Sequence, residues 1–314
     1  MQGGVSGGGA QEAAQEAWSD LARPPLRVQE LRRALVEGPA PAWRALDVLA
    51  STGSTNADLA ERARNGEPEG LVVLADHQHA GRGRLTRSWE APPRASLACS
   101  VLLRPGTVGA DGAPAVDPRH WSWLSMIGGL AVVDALTRVC GLPARLKWPN
   151  DVLVPGPGSV GADDPATDHL KVCGVLAEVV PGGAVVLGTG INVTQDGAEL
   201  PVPGATSLWM AGAAATDRST VAKAYLRALS SRYRDWRRAE GDPLRSGVAA
   251  AYREACRTIG RQVRVHLPGE QVLEGVAEEV DAEGRLVVRD PAGGLTALAA
   301  GDVVHVRAPD HGFG

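Results

Sequence analysis

Only three of the 32 Lys and Arg residues in this 314-residue chain are lysines: Lys147, Lys171 and Lys223. A lysine ammonium is a compact, rotatable point charge, whereas the arginine guanidinium is a planar fork, so the two are not interchangeable at a reacting centre. Lys147, inside Arg145-Leu-Lys-Trp-Pro-Asn-Asp151, is therefore the first candidate for chemistry, set against plain compositional drift toward Ala, Gly, Arg and Pro. Asparagine is equally scarce, and Asn56, Asn150 and Asn192 each fall in a segment of interest.

Three further segments carry suitable groups. The run from Asp76 to Trp89 combines Gly81 and Gly83 with Arg82, Arg84 and Arg87. Glycines let a backbone approach a ligand closely, and guanidinium groups supply forked donors to phosphate or carboxylate oxygens. The run matches neither GxxxxGK[ST] nor GxGxxG, because Thr86 stands where the third glycine would be. A loop closing over an anionic ligand by some other architecture is the expectation. His77 and His79 flank Gln78 and would share one face of an extended segment, but no further metal ligands are identifiable, and structural or surface histidines fit better. Gly53-Ser-Thr-Asn56 opens a helix; capping alone explains Ser54, yet small hydroxyls at a helix N-terminus can also hold a polar ligand. Leu187-Gly-Thr-Gly-Ile-Asn-Val193 ends a strand with two glycines and an amide, which suits close approach to a nucleotide.

The elements that must position these groups follow from pattern and punctuation. Strands are expected at Leu46–Ala50, Leu71–Ala75, Ser96–Leu103, Val172–Val180 and Ala184–Val193, the last two forming a hairpin through Pro181-Gly-Gly183. Helices are expected from Ser54 to Asn65-Gly66, from Trp121 to Cys140 with Gly141 as the stop, and at about 219–240 and 246–259. The stretches 107–118 and 155–168 read as Pro/Gly surface loops. After Gly260 five short β segments separated by turns suit a small barrel, and residues 1–40, rich in Gly, Ala, Gln and Pro apart from an amphipathic run near 26–36, read as a disordered arm.

Composition narrows the function classes. A net charge of −4 argues against a surface made wholly for nucleic acid, although Arg218 to Arg264 holds twelve basic and four acidic residues. A solvated helix face is the commoner explanation of such a stretch than a nucleic-acid or acidic-partner surface. No uninterrupted apolar run reaches the roughly 18–20 residues needed to span a bilayer, and the N-terminus lacks a signal core, so a cytoplasmic location is the default. Cys99, Cys140, Cys173 and Cys256 lack metal-ligand spacing and are expected to be reduced structural thiols.

Taken in chain order, Ser54-Thr-Asn56, Gln78 with Gly81-Arg-Gly-Arg84 and Trp89, Lys147-Trp-Pro-Asn-Asp151, Lys171-Val-Cys-Gly-Val-Leu-Ala-Glu178, Gly188-Thr-Gly-Ile-Asn-Val193 and Ala205-Thr-Ser-Leu208 resemble the biotin protein ligases. The resemblance implies an α+β fold, with a mixed, mainly antiparallel sheet flanked by helices as in class II aminoacyl-tRNA synthetases, and a small C-terminal SH3-like β-barrel. The expected division is an arm at 1–40, a catalytic domain at 41–260 and a barrel at 261–309. It implies ATP and biotin as substrates with Mg²⁺, biotinyl-5′-AMP as intermediate, and transfer to a lysine of a biotin carboxyl carrier domain of acetyl-CoA, acyl-CoA or pyruvate carboxylase.

By the same resemblance Lys147, Arg82 and Arg84 carry the chemistry. Biotin would be held by Ser54, Thr55, Gln78, Gly81, Arg82, Trp89, Lys147 and Gly174; ATP or adenylate by Arg84, Arg87, Trp89, Asn150, Lys171 and Asn192; no protein side chain is identified as a metal ligand. The Gly-Arg loop at 80–88 would be disordered without ligand and ordered by it. Thr86 and Cys173 depart from the family pattern, at positions where glycine and alanine are usual. The arm before Trp43 is too short and too Gly/Ala/Pro-rich for a winged-helix domain, so a monomer or weak dimer without DNA binding is expected, away from membranes. A lipoate-type ligase of the same fold is the nearest alternative, and a non-catalytic nucleic-acid or partner-binding module the more distant one.

Overall fold

The structure, a computed structural model, describes residues 23–84, 87–156, 158–159, 167–200, 202–267 and 271–305. Helix α1 (Val28–Leu35) leads into strand β1 (Ala45–Leu49), helix α2 (Thr55–Arg64) and strand β2 (Leu71–Ala75). A two-residue hairpin, β3 (Gly81–Arg82) and β4 (Ser88–Trp89), precedes the long strand β5 (Ser96–Leu103). Helix α3 (Trp123–Ala135) continues as a π-turn to Cys140, followed by strands β6 (Arg145–Lys147), β7 (Asp151–Pro155), β8 (His169–Val180) and β9 (Ala184–Asn192). Helices α4 (Arg218–Arg238) and α5 (Val248–Ala255) come next. The tail consists of β10 (Gln262–His266), β11 (Val272–Val280), β12 (Leu286–Arg289), β13 (Leu295–Leu298) and β14 (Asp302–His305).

Seven strands form one mixed sheet in the order β1-β2-β5-β9-β8-β7-β6, in which only β1 and β2 run parallel. Its two faces differ because successive side chains in a strand point to opposite sides. Leu97, Cys99, Val101 and Leu103 of β5 join the main core under α3 and α4, whereas Leu102 joins a smaller cluster with Leu59, Ala60 and Ala63 of α2. That smaller cluster covers only part of the second face, and the uncovered remainder carries Ser96, Ala98 and Ser100 of β5.

Local signals account for the elements. Ser54 caps α2 from an extended conformation, its hydroxyl accepting from Ala57 N at 3.4 Å, and Gly66 at φ +84° ends the helix. Helix α3 with its π-turn is an 18-residue apolar segment of mean hydropathy 1.4, long and apolar enough to cross a membrane, but 67% of it is buried inside the protein, as befits a core helix. A Cβ added at Gly128 would lie 2.9 Å from Val175 Cγ1, so that glycine lets α3 sit close on the sheet. All four cysteines are free and buried, with burial raising each thiol pKa.

One expectation is corrected. The arm placed at 1–40 contains α1, whose Leu31 and Leu35, with Leu26, are buried in the main core; residues 1–22 lie outside the described residues. Eight amphipathic residues suffice when tertiary packing supplies the stability. The tail forms an antiparallel sheet in the order β13-β12-β11-β10-β14, whose edge strands β13 and β14 do not pair among the described residues. The turn at 268–270, the strand end after His305 and the tip residues Leu85 and Thr86 lie outside the described residues, as do Pro157 and 160–166 of the loop expected at 155–168. The other Pro/Gly loop is pinned from within: buried Arg237 donates to Ala113 O at 3.2 Å and Pro114 O at 2.9 Å while pairing with Glu69 at 3.0 Å.

The basic helical stretch is largely neutralised in the same way. Arg218 pairs with Asp76 at 2.7 Å, Arg232 with Asp134 at 2.6 Å, Arg264 with Glu274 at 2.6 Å and Lys223 with Glu30. Excess charge in sequence is thus internal pairing in space, which favours the solvated-helix explanation.

Candidate active site

The open part of the second sheet face has a floor built from small residues. Register places Ala98, Gly190 and Gly174 side by side across β5, β9 and β8, and Ser100, Gly188 and Leu176 in the row beyond. Without Cβ atoms at the glycines, this face sinks into a cleft of about 1550 Å³, roofed by the Gly-Arg hairpin, the β6–β7 turn and strand β14. The glycines are filled by neighbours: a Cβ at Gly190 would lie 2.5 Å from Trp89 Cε2, and one at Gly188 would lie 2.1 Å from Asn56 Oδ1. Gly174 is also against Trp89, whose Cζ3 would be 3.1 Å from an added Cβ. The indole N–H of Trp89 is buried without a partner among the described residues, so it can donate to whatever enters.

One end of the cleft is a hydrogen-bonded chain of uncharged groups anchored on the Glu178–Arg82 ion pair. Thr55 donates to Gln78 Oε1 from its backbone N–H at 3.0 Å and its hydroxyl at 3.1 Å. The buried Ser100 hydroxyl bridges Thr55 Oγ1 at 2.7 Å and Asn56 Oδ1 at 2.6 Å. Asn56 in turn donates to Glu178 Oε2 at 2.7 Å, and Glu178 pairs with Arg82 at 3.1 Å. With its oxygen occupied, Gln78 keeps its amide donors for a ligand, and Ser54, which accepts as a cap, keeps its O–H donor. Such fixed donors suit a neutral, oxygen-bearing ring.

The other end is cationic. Lys147 ends β6 and lines the cleft, and among the described residues its side chain makes no hydrogen bond or ion pair. The other two lysines are engaged: Lys171 pairs with Asp151 at 2.7 Å and lies 5.6 Å from the centre of the Trp89 ring, and Lys223 is held by Glu30 outside the cleft. Arg84 lies 3.5 Å from Asn150 Oδ1; burial lowers its pKa, while the charges of Asp151 and Asp302 oppose that shift. Arg87 reaches across to pair with Asp302 of β14. His305, on the same wall, is pushed down to about 4 by burial, then by Lys147, Arg261 and Arg257, so it is neutral near pH 7.

The cleft therefore brings together Ser54, Thr55, Gln78, Arg82, Arg84, Arg87, Trp89, Lys147, Asn150, Lys171, Gly174 and Asn192. Two of the expected ligand residues also have structural partners. Gly81 does not line the cleft but lies buried behind it, where a Cβ would come within 2.2 Å of Gln78 Nε2 and 2.3 Å of Trp89 O; it lets the hairpin close. Asn192 does line the cleft, but its amide largely builds the wall, donating to Thr206 O and accepting from Gln195 Nε2, both at 3.0 Å. His77 and His79, ring centres 5.9 Å apart, border a separate small pocket, and no cluster of three metal-ligating side chains occurs among the described residues. Ser100 and Asp302 were missed by sequence reasoning: one serine inside an apolar strand reads as packing, and Asp302 lies 215 residues from its partner.

An end rich in uncharged donors joined to a lysine-and-arginine end, over a glycine floor, suits a ligand with a neutral polar head and an anionic tail, as ligases that activate an acid with a nucleotide require. The Biotin/lipoate A/B protein ligase family model matches residues 48–196, and the Biotin protein ligase C terminal domain model matches residues 258–306. Over 292 residues the chain is 44% identical to the biotin–[acetyl-CoA-carboxylase] ligase of Mycobacterium tuberculosis, covering 92% of this chain and 98% of that protein. It is 33% identical over 193 residues to a bifunctional ligase/repressor of Bacillus subtilis, covering 60% of this chain and 53% of that one. Among solved structures, the Aquifex aeolicus biotin protein ligase in complex with biotin and ATP superposes with a TM-score of 0.63 at 25% identity, covering 85% of this chain and 100% of that chain. The chain belongs to the biotin protein ligase family.

Proposed function

We propose that the chain's own groups divide the ligase reaction between the two ends of the cleft. Biotin's carboxylate oxygen attacks the α-phosphorus of ATP, the bond to the bridging oxygen breaks, and pyrophosphate leaves. A carrier lysine amine then attacks the acyl carbon of biotinyl-5′-AMP, AMP leaves, and the amine's proton is released. Thr55, Gln78 and Ser54, assisted by the Arg82 backbone, would hold biotin's ureido ring over Gly174, with Trp89 covering it. Arg84 and Arg87 would hold phosphate oxygens, Asn150 and Lys171 would flank the adenylate, and Asn192 would shape its pocket. Lys147 would stand between carboxylate and α-phosphate, where charge builds in the transition state.

The observation that carries this reading is the free ammonium of Lys147 in a cleft whose neighbouring lysine is neutralised. Mg²⁺ would enter with ATP, held by phosphate oxygens and water and screening their charge, which fits a site lacking a three-ligand side-chain cluster among the described residues. The acceptor would be the carrier domain of acetyl-CoA carboxylase or a related acyl-CoA or pyruvate carboxylase. A cytoplasmic monomer or weak dimer without DNA binding completes the proposal. We further propose a tail unit beginning near residue 261 that closes toward an SH3-like barrel, and a catalytic unit extending from about 41 to 260, with α1 as its N-terminal support.

Acid selection tests the reading. ATP–pyrophosphate exchange should depend on biotin and remain at background with lipoate; equal exchange with lipoate would place the chain with the lipoate-type ligases.

A further inference from the structure

Among the carboxylates that line the cleft, Asp302 is the one that pairs with an arginine of the Gly-Arg hairpin. Among the described residues strand β14 pairs only with β10, and it lines the cleft together with the preceding Gly301. Asp302 on this strand accepts from Arg87 of the Gly-Arg hairpin, at side-chain exposures of 36% and 62%. Its charge also acts on Arg84, and that of Lys147 acts on it. Burial works to raise the Asp302 carboxyl, but the hydrogen bond from Arg87, with the charges of Arg87, Lys147 and His266, outweighs it and holds the group below its ordinary range. Asp302 is therefore an anion at neutral pH, facing the three side chains to which the substrate's carboxylate and phosphates are assigned.

Three cations converging on one cleft repel one another unless an anion lies among them. ATP, pyrophosphate and the adenylate supply that anion when bound. We infer that Asp302 supplies it in the empty enzyme: it is the resident counter-ion of the phosphate site, holding Arg87 until a polyphosphate displaces it, and so it sets the affinity for ATP and pyrophosphate. Because the carboxylate comes from the tail sheet and the guanidinium from the hairpin, the exchange also ties the tail domain to the adenylation step. A singly charged carboxylate gains little by displacing another one, whereas a triphosphate gains several contacts, so the arrangement favours polyphosphate over simple acids at this end. The inference rests on the ligase reading given above.

The pair is partly exposed, and exposed ion pairs of this kind alter equilibria by about 1.4- to fivefold. Asp302→Asn and Asp302→Ala should each lower KM for ATP in biotin-dependent exchange by about that factor at low salt, with the difference shrinking as salt rises. Calorimetry with inorganic pyrophosphate on the full chain should show the same tightening, KM for biotin should not move, and Asp302→Glu should match the parent. A carboxylate that merely braced the fold would give the opposite sign, a higher KM with a lower melting temperature. Unchanged or raised KM for ATP in both variants, with folding intact, overturns the inference alone. Absence of biotin-dependent exchange in the parent protein would instead overturn the ligase reading on which it rests.

Discussion

Replacing Lys147 with alanine lowers the rate of biotin-dependent ATP–pyrophosphate exchange by about 10²–10³-fold, the loss expected when one preorganised donor to developing charge is removed. The fold should be indifferent: Lys147 is half-buried, ends the short strand β6 and has no described partner to orphan, so its removal should change stability by no more than about 0.5 kcal/mol. Lys147→Arg should restore little, because a planar fork cannot replace a point charge at the junction of a carboxylate and a phosphate. Exchange kinetics and a melting curve on the same preparation check both halves. Undiminished exchange in the alanine variant would remove Lys147 from the mechanism, and a collapsed melting temperature would recast it as structural.

A substitution three strands away in the sheet should fail for the opposite reason. Gly188→Ala places a methyl group 2.1 Å from Asn56 Oδ1, and that oxygen cannot withdraw freely because Ser100 donates to it while Glu178 holds the amide nitrogen. Overpacking of this kind costs about 1–3 kcal/mol. The Ser100 hydroxyl, buried and shared with Thr55, would be disturbed with it, so the donors meant for biotin lose their positions. The expected result is a melting temperature lower by about 2–10 °C and a biotin KM raised by tenfold or more, on the order of 1.4 kcal/mol. Thermal unfolding and biotin titration of exchange measure the two effects. A variant with unchanged biotin KM would mean that the Thr55–Gln78 end does not read the acid.

How much of this was legible in the sequence can be judged element by element. Strand β5, the β8–β9 hairpin and α2 with its Ser54 cap were evident because a buried run, a Pro-Gly-Gly turn and a capping serine are local signals. Lys147 stood out by scarcity, but the reason it differs from Lys171, an ion pair to Asp151, exists only in space. The glycines of the Gly188–Asn192 segment were visible as a motif; that Gly190 aligns with Ala98 and Gly174 to make a floor depends on strand register. For Gly81, a glycine that touches ligand and one that lets a hairpin close look alike in sequence, and its close approach to Gln78 and Trp89 is visible only in space. Helix α1 showed in sequence only as an amphipathic run near 26–36 within Gly/Ala/Pro-rich surroundings, and its burial depends on contacts with the main core; closure of the tail sheet is decided by the pairing of its edge strands, which no local pattern encodes. Asp302 could be found only after folding brought β14 to the hairpin.

The central claim is that this cleft couples adenylation of biotin to acylation of a carrier lysine. Radiolabelled biotin, incubated with the enzyme and a purified biotin carboxyl carrier domain, tests it most directly. The account predicts label on the carrier only when ATP is present, with one AMP and one pyrophosphate formed per biotin transferred. Transfer without ATP, or ADP and phosphate in place of AMP and pyrophosphate, would contradict it.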